Sequence, residues 1–377
     1  MRLMPIHMCQ PGMRLAKNIY NEEGMVLLAT DVELTSRLIE RLFSYGIDYV
    51  YIADPRTEDI VLPDYIQQET RTRAIKEIRN TFRTMMEDTN KRSAVSYYDL
   101  GRKFRDLMTM IIDDVSGHQD AMVMLNTMNV TDNYLFQHSL NVSIYATMLG
   151  ISYGYDRENL VALGLGALLH DIGKTKISVD ILKKPSQLTH DEFTEMKHHT
   201  TYGFQILKQE PNIPLVTAHC AFQHHERLDG SGYPRGLKGN EIHEFARWIG
   251  LVDSYDAMTT TRVYRSPLLP HQAMEQLFAG SGTMYDQSKI ALFRDKIAIY
   301  PLGIPVKLST GESGIVSKLN ITIPHRPIVR IMQDASGKDL KEPDEIDLST
   351  RLNVLISEVG DARIGDVVAD EGIPMIF

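Results

Sequence analysis

Residues 160–174 read LVALGLGALLHDIGK. The first ten are apolar or glycine and carry no polar stripe, so the segment predicts a helix buried on every side. It ends in His170-Asp171. Charges delivered to an interior need a partner or a metal. The pair offers one imidazole nitrogen and a carboxylate to a divalent cation, and a carboxylate can bridge two cations where a lone imidazole cannot. Gly173 is expected to turn the chain sharply and bring Lys174 back to the same place.

Four further elements fit this one. The run QHHERLDGSGYP at 223–234 puts His224 and His225 at a helix end. Successive helical side chains diverge by about 100°, so the two rings can reach different cations. The Asp-Gly-Ser-Gly stretch then forces a tight, irregular turn. His138 lies mid-helix on a face with Tyr134, Asn141, Val142 and Tyr145. His199 shares an inner face with Met196, Gly203 and Ile206, which sends His198 outward. Asp253 sits within WIGLVDSYDAM at 248–258, and a carboxylate inside an apolar helix is uncommon unless paired or bound.

Each of these residues has an ordinary explanation when taken alone: a satisfied core histidine, a capping side chain, a solvated loop. Together they supply five imidazoles and two carboxylates. A structural zinc takes four ligands. Two metals with open positions fit better, and such pairs suit phosphoryl transfer. Nitrogen and oxygen donors without thiolate favour iron or manganese, so Cys220 is not required. The remaining histidines read as plain: His190 at a solvated helix start, and His219, His243 and His271 in helices.

The 377 residues predict roughly two or three domains. Residues 1–62 read as a small α/β unit, with a helix over 34–43 closed by Gly46 and a strand at Tyr49–Ile52. Residues 63–118 carry two helical stripes (Ile75, Ile78, Phe82, Met85, then Phe104, Leu107, Met108, Ile111) expected to pack on the main domain; a dimerisation or signal-relay hairpin is the alternative. Residues 119–298 are almost wholly helical. Helix starts are expected at Pro63, Thr131 or Asp132, Asp156 and Thr189, the last with Glu192 as a capping box. Residues 299–377 read as a small antiparallel β unit with a tail, its strands at 306–308, 314–317 and 328–332. The expected fold is therefore mainly α, with small flanking units.

No run of about 18 apolar residues predicts a membrane span, and the first residues lack a secretory apolar core. Two distant cysteines, Cys9 and Cys220, make no disulfide framework and point to a reducing cytoplasm. A net charge of −9 argues against long nucleic acid as a partner but leaves room for a small phosphate-bearing ligand.

HDIGK at 170–174, HHERLDGSGYP at 224–234 and VDSYDAMTTTRVYR at 252–265 resemble the HD-GYP family of bacterial phosphodiesterases. The resemblance covers roughly 120–298, and the Met-Lys-x-His-x3-Gly pattern at 196–203 matches too, selecting His199 over His198. It implies an all-helical HD-type domain whose metals open cyclic di-GMP to pGpG, and in some members continue to GMP, with a water shared by the metals as nucleophile. Carried over by motif, the ligands are His138, His170, Asp171, His199, His224, His225 and Asp253, with Asp171 bridging. Lys174 sits beside the reacting phosphate. Arg262 and Arg265 hold substrate phosphates. Gly232, Tyr233 and Pro234 form the signature loop; in the alternative reading of an interaction module, signalling proteins dock there. Asp256 is expected behind the ligands.

Members with three metals carry a glutamate where this chain has Tyr134, so two metals are expected, with Tyr134 only near the ligands. Val263 replaces a frequent proline with little expected effect. Three alternatives stand beside this reading: a non-catalytic cyclic dinucleotide receptor, an enzyme for cyclic GMP-AMP or pGpG, and an interaction module. A homodimer is compatible with all of them.

Overall fold

The computed structural model describes residues 1–21, 25–62, 65–88, 100–117, 134–184, 186–260, 267–360 and 362–363. The N-terminal unit comprises β1 (Arg2–Pro5), β2 (Ile19–Tyr20), β3 (Val26–Leu28), α1 (Ser36–Ser44) and β4 (Tyr49–Ile52). β1 pairs antiparallel with β4, Arg2 opposite Ile52, and β2 pairs with β3. Thr35 caps α1 by accepting from the Leu38 amide.

The helical body follows: α2 (Gln68–Asp88), α3 (Leu100–Ser116), α4 (Tyr134–Tyr153), α5 (Arg157–Leu169), α6 (Val179–Leu182), α7 (His190–Lys197), α8 (His199–Leu207), α9 (Leu215–Gln223), α10 (Glu244–Thr259), α11 (Pro270–Ala279) and α12 (Gln287–Arg294). Two of the expected helix starts are realised as side-chain caps. Asp156 accepts from the Asn159 amide, and Thr189 with Glu192 closes a capping box. The starts expected at Pro63 and at Thr131 or Asp132 lie outside the described residues.

The chain is mainly α, and one hydrophobic cluster holds the helices. α5 contributes ten buried residues from Leu160 to Leu169. The stripe of α2 (Ile75, Ile78, Phe82, Met85) and that of α3 (Phe104, Leu107, Met108, Ile111) are buried in the same cluster. These helices face their own protein's core, as amphipathic stripes usually do. Each large apolar side chain so buried contributes about 1.5–3 kcal/mol. α5 packs between α4 and α9, and α10 lies across α4, which brings His170-Asp171 to the centre of the body. α2 also touches the 3-10 turn Ile172–Lys176 that carries Lys174.

The C-terminal unit is a six-stranded antiparallel sheet of β5 (Pro305–Leu308), β6 (Ser313–Lys318), β7 (Ile328–Gln333), β8 (Asp339–Asp347), β9 (Ile356–Val359) and β10 (Ala362–Arg363), in the order β10-β9-β5-β6-β7-β8. Sequence patterning finds β5, β6 and β7 and misses β8, β9 and β10. Residues 339–347 (DLKEPDEID) have no apolar alternation and contain Pro343. β8 is an edge strand paired only to β7, the position where charge and proline are tolerated.

The two ends of the chain share a second cluster. Leu3, Val50 and Ile52 pack in it with Val306, Ile315 and Val329. The Leu3 amide donates to the Gly303 carbonyl at 2.7 Å. Arg330 on β7 donates to the Asp59 carboxylate at 2.6 and 2.5 Å and to the Arg56 carbonyl at 2.9 Å. Among the described residues, no helix is long and apolar enough to cross a membrane.

Candidate metal centre

Five elements deliver seven side chains to one buried place. α4 brings His138, the end of α5 brings His170 and Asp171, α8 begins at His199, the end of α9 brings His224 and His225, and α10 brings Asp253. All seven are buried. Their ligand atoms fall into three overlapping groups: Asp171 with His199, His224 and His225; His138 with His170 and Asp171; His170 with His224 and Asp253.

Asp171 stands at the centre, with its two oxygens facing different ways. Oδ2 lies 3.3 Å from His170 Nε2 and 3.9 Å from His138 Nε2. Oδ1 lies 3.4 Å from His199 Nε2 and 3.9 Å from His224 Nε2. Asp253 Oδ1 is 3.1 Å from His138 Nε2. The Lys174 ammonium donates to Asp171 Oδ2 at 2.7 Å.

The outward nitrogens of four rings are engaged behind the site. Nδ1 of His170 meets the Ala167 carbonyl at 2.7 Å, that of His199 the Met196 carbonyl at 2.6 Å, and that of His224 the Ala221 carbonyl at 2.9 Å. Nδ1 of His138 meets Asp256 Oδ2 at 2.7 Å. A carbonyl or carboxylate can only accept, so it fixes the proton on Nδ1 and turns the Nε2 lone pair inward. Meanwhile, among the described residues, His170 Nε2, Asp171 Oδ1 and Asp253 Oδ2 are buried without a hydrogen-bond partner. Buried polar atoms are almost always satisfied. Inward lone pairs and orphaned carboxylate oxygens are what divalent cations would satisfy, and the residues fit that role. Cys220 is buried and outside all three groups.

The charge states agree with this. Burial lowers His199 to about 4 and drives His224 and His225 well below the usual histidine range, with neighbouring imidazoles adding to the shift. These rings are neutral at pH 7, the form in which an imidazole can bind a cation. Burial opposes ionisation of Asp171 and Asp253, yet Lys174 and His170 beside the first, and His138 beside the second, hold both carboxyls well below their usual range. His138 is the exception: burial pulls it down, but its hydrogen bonds to Asp253 and Asp256 prevail and raise it to about 9, so binding a cation through Nε2 must release the proton held there.

Gly173 is needed for a reason other than the sharp turn the sequence suggests. Its φ is not positive. A Cβ there would lie 1.8 Å from the His199 carbonyl oxygen and 2.5 Å from the Gly203 amide nitrogen. The turn after Asp171 is thus pressed directly onto α8, which fixes the spacing of Asp171 and His199.

The loop after His225 is held by a residue that sequence reasoning passed over. Glu226 is buried, and its carboxylate accepts from the Arg235 amide at 2.8 Å and the Leu237 amide at 2.9 Å. Gly232 lies against the same backbone, where a Cβ would come within 2.4 Å of the His225 carbonyl oxygen and the Arg227 amide. The Tyr233 ring stacks on His225, with centroids 4.7 Å apart. It packs against His225 instead of standing open. Pro234, next to it, is exposed.

Asn141, one helical turn from His138, donates to the second oxygen of Asp256 at 2.9 Å. A polar pair three residues apart on an apolar helix was a readable signal for it. His243, read as an ordinary helix residue, caps α10 by accepting from the Phe245 amide. His198 is exposed, as expected. Tyr134 is the first residue of α4. Arg262 and Arg265 lie outside the described residues.

Comparison with known proteins agrees with this geometry. Residues 109–288 match the model of the HD domain, and residues 305–363 that of a KOW domain associated with the HD domain. A cyclic di-GMP phosphodiesterase of Pseudomonas aeruginosa is 31% identical over 235 residues, covering 62% of this chain and 56% of the relative. A cyclic di-GMP phosphodiesterase of Thermotoga maritima is 38% identical over 159 residues, covering 42% and 43%. A 3'3'-cGAMP-specific phosphodiesterase of Vibrio cholerae is 28% identical over 250 residues, covering 66% and 45%. The chain thus spans about half the length of these relatives. The chain carries an HD domain with His170-Asp171 at its centre and a Gly-Tyr-Pro loop stacked on His225, the features that its resemblance to the HD-GYP family implies.

Proposed function

We propose that this protein is a cytoplasmic phosphodiesterase that hydrolyses cyclic di-GMP to pGpG with two divalent metals, iron or manganese. One observation carries the reading: the two oxygens of Asp171 face separate sets of imidazoles, His138 and His170 on one side, His199 and His224 on the other. A carboxylate so placed suits a pair of cations better than one. Bound there, such cations supply Lewis acidity towards a phosphoryl oxygen and an activated water at neutral pH.

The chain's own residues then have distinct tasks. His138, His170, His199, His224, His225, Asp171 and Asp253 are the ligands. Asp256 keeps His138 in the tautomer that binds. Lys174, with its ammonium on Asp171 at 2.7 Å, is close enough to stabilise charge on the phosphoryl group. Arg262 and Arg265 are assigned to substrate phosphates by their place in the motif. Tyr233 holds the signature loop against His225.

The relatives named as 3'3'-cGAMP-specific make that nucleotide the second substrate to assay. The test is metal analysis of protein purified without oxygen, with cyclic di-GMP and 3'3'-cGAMP followed by chromatography. Wild-type protein should hold two metals and release pGpG. Asp171→Ala should lose turnover and most of the metal. Full activity in that variant would refute the reading.

A further inference from the structure

Lys197 occupies a place in the Met-Lys-x-His-x3-Gly pattern to which the metal centre gives no task. It is the last residue of α7, two before His199. Its ammonium lies 4.6 Å from the centroid of the Phe193 ring and 5.9 Å from that of Tyr233. Tyr233 stacks on His225, so this cation and a proposed metal ligand lie against the same ring. Phe193 meets Tyr233 edge-on at 6.4 Å, which braces the arrangement.

The ammonium is positioned but not neutralised. Among the described residues no carboxylate pairs with Lys197. The nearest acid in sequence, Glu195, is engaged by His198 at 3.2 Å and by the Tyr202 hydroxyl at 3.5 Å. Ring faces hold a cation in place without cancelling its charge. Lysines used only for solubility have no need of such a seat.

A cyclic dinucleotide carries two phosphodiesters on opposite sides of its ring. With one on the metals, the other lies a ring's width away, beyond the reach of the buried ligands. We infer that Lys197, seated on Phe193 and Tyr233, binds the second, non-scissile phosphate and so selects two-phosphate ring substrates over simple diesters. The inference rests on the phosphodiesterase reading and adds a specificity residue to it. The signature tyrosine then has a second task, because its ring carries both His225 and the lysine.

The experiment compares cyclic di-GMP with bis(p-nitrophenyl) phosphate, a diester with one phosphate, on metal-loaded wild type, Lys197→Met and Lys197→Arg. Methionine keeps the apolar stem over Phe193 and removes the charge. A charge-assisted contact of this kind is worth roughly tenfold in binding. In Lys197→Met the KM for cyclic di-GMP should rise about tenfold with little change in kcat. The ratio of kcat/KM between the two substrates should fall by a similar factor, and Lys197→Arg should restore most of it. An unchanged ratio with active enzyme, including an equal loss on both substrates, would overturn the inference and leave the phosphodiesterase standing. Wild-type protein that cleaves the simple diester but neither binds nor cleaves cyclic di-GMP would overturn the substrate reading, and this inference with it.

Discussion

Replacing Asp256 by Asn changes one atom of the network behind the metal centre, and the outcome follows from counting donors. Asp256 Oδ2 accepts from His138 Nδ1 at 2.7 Å, and Oδ1 accepts from Asn141 Nδ2 at 2.9 Å. Gln137 Nε2 donates in turn to Asn141 Oδ1 at 2.8 Å. Asp256, His138 and Asn141 are all buried. The carboxylate faces two donors; an amide offers one acceptor and one donor. If the new amide oxygen faces His138, its NH2 meets the Asn141 NH2. If the NH2 faces His138, the imidazole must move its proton to Nε2, the atom that points at Asp253 from 3.1 Å, and the ring can no longer bind a metal through it.

With Asn141 and Gln137 kept in their present orientations, either choice leaves a buried polar group opposed, at a cost of about 1–3 kcal/mol. Loss of such an orienting partner typically lowers metal affinity about 10–100-fold, which is the same energy by another route. We expect Asp256→Asn to weaken Mn2+ binding to metal-stripped protein by that factor, measured by calorimetric titration, and to lower turnover accordingly at limiting metal. The decisive variant is Asn141→Asp with Asp256→Asn. The new carboxylate at 141 accepts from the amide at 256, whose oxygen then accepts from His138, so every donor again has an acceptor and the net charge is that of the wild type. Most of the lost affinity should return, a coupling of about 1–3 kcal/mol. If the double variant is no better than Asp256→Asn, or if Asp256→Asn binds Mn2+ as the wild type does, the tautomer argument is wrong.

Two other expectations follow from neighbouring features. Glu226→Gln leaves one of the Arg235 and Leu237 amides facing an NH2; at about 1–3 kcal/mol the signature loop should open, and trypsin cleavage after the exposed Arg235 should speed up about 5- to 150-fold. His271 is buried against Tyr300, its Nδ1 has no partner, and burial lowers it to about 4. Its folded-state value is depressed, so the unfolded chain binds the proton first as pH falls below about 6.5 and stability drops through that window towards 4. Between pH 7 and 5 this amounts to about 2 kcal/mol. Urea titrations of His271→Phe should show a pH dependence shallower by that amount, and an unaltered slope would show that His271 does not titrate as described.

How far the sequence foretold all this depends on what each residue does. The seven proposed ligands were legible because imidazoles and carboxylates are costly to bury without a purpose, and each sits on a segment whose apolar neighbours already mark it as interior. Glu226 is just as buried, yet its partners are two backbone amides about ten residues further on, and every residue but proline offers an amide. Nothing in the side chains of Arg235 or Leu237 announces the bond. Gly173 was legible as necessary but not as to why, since a left-handed turn and a backbone pressed on α8 both exclude a Cβ. β8 is a strand because β7 supplies its ladder, not because its own residues prefer one. The common cluster of the first 60 residues with the C-terminal sheet joins Leu3 to Val306 and Val329, and no local pattern encodes a contact across some 300 positions. The chemistry of this protein is therefore written in side-chain types. What holds that chemistry in register is carried mostly by backbone groups and distant surfaces, which is why Asp256, Asn141 and Glu226, with no part in the reaction, are the positions where one-atom changes should tell most.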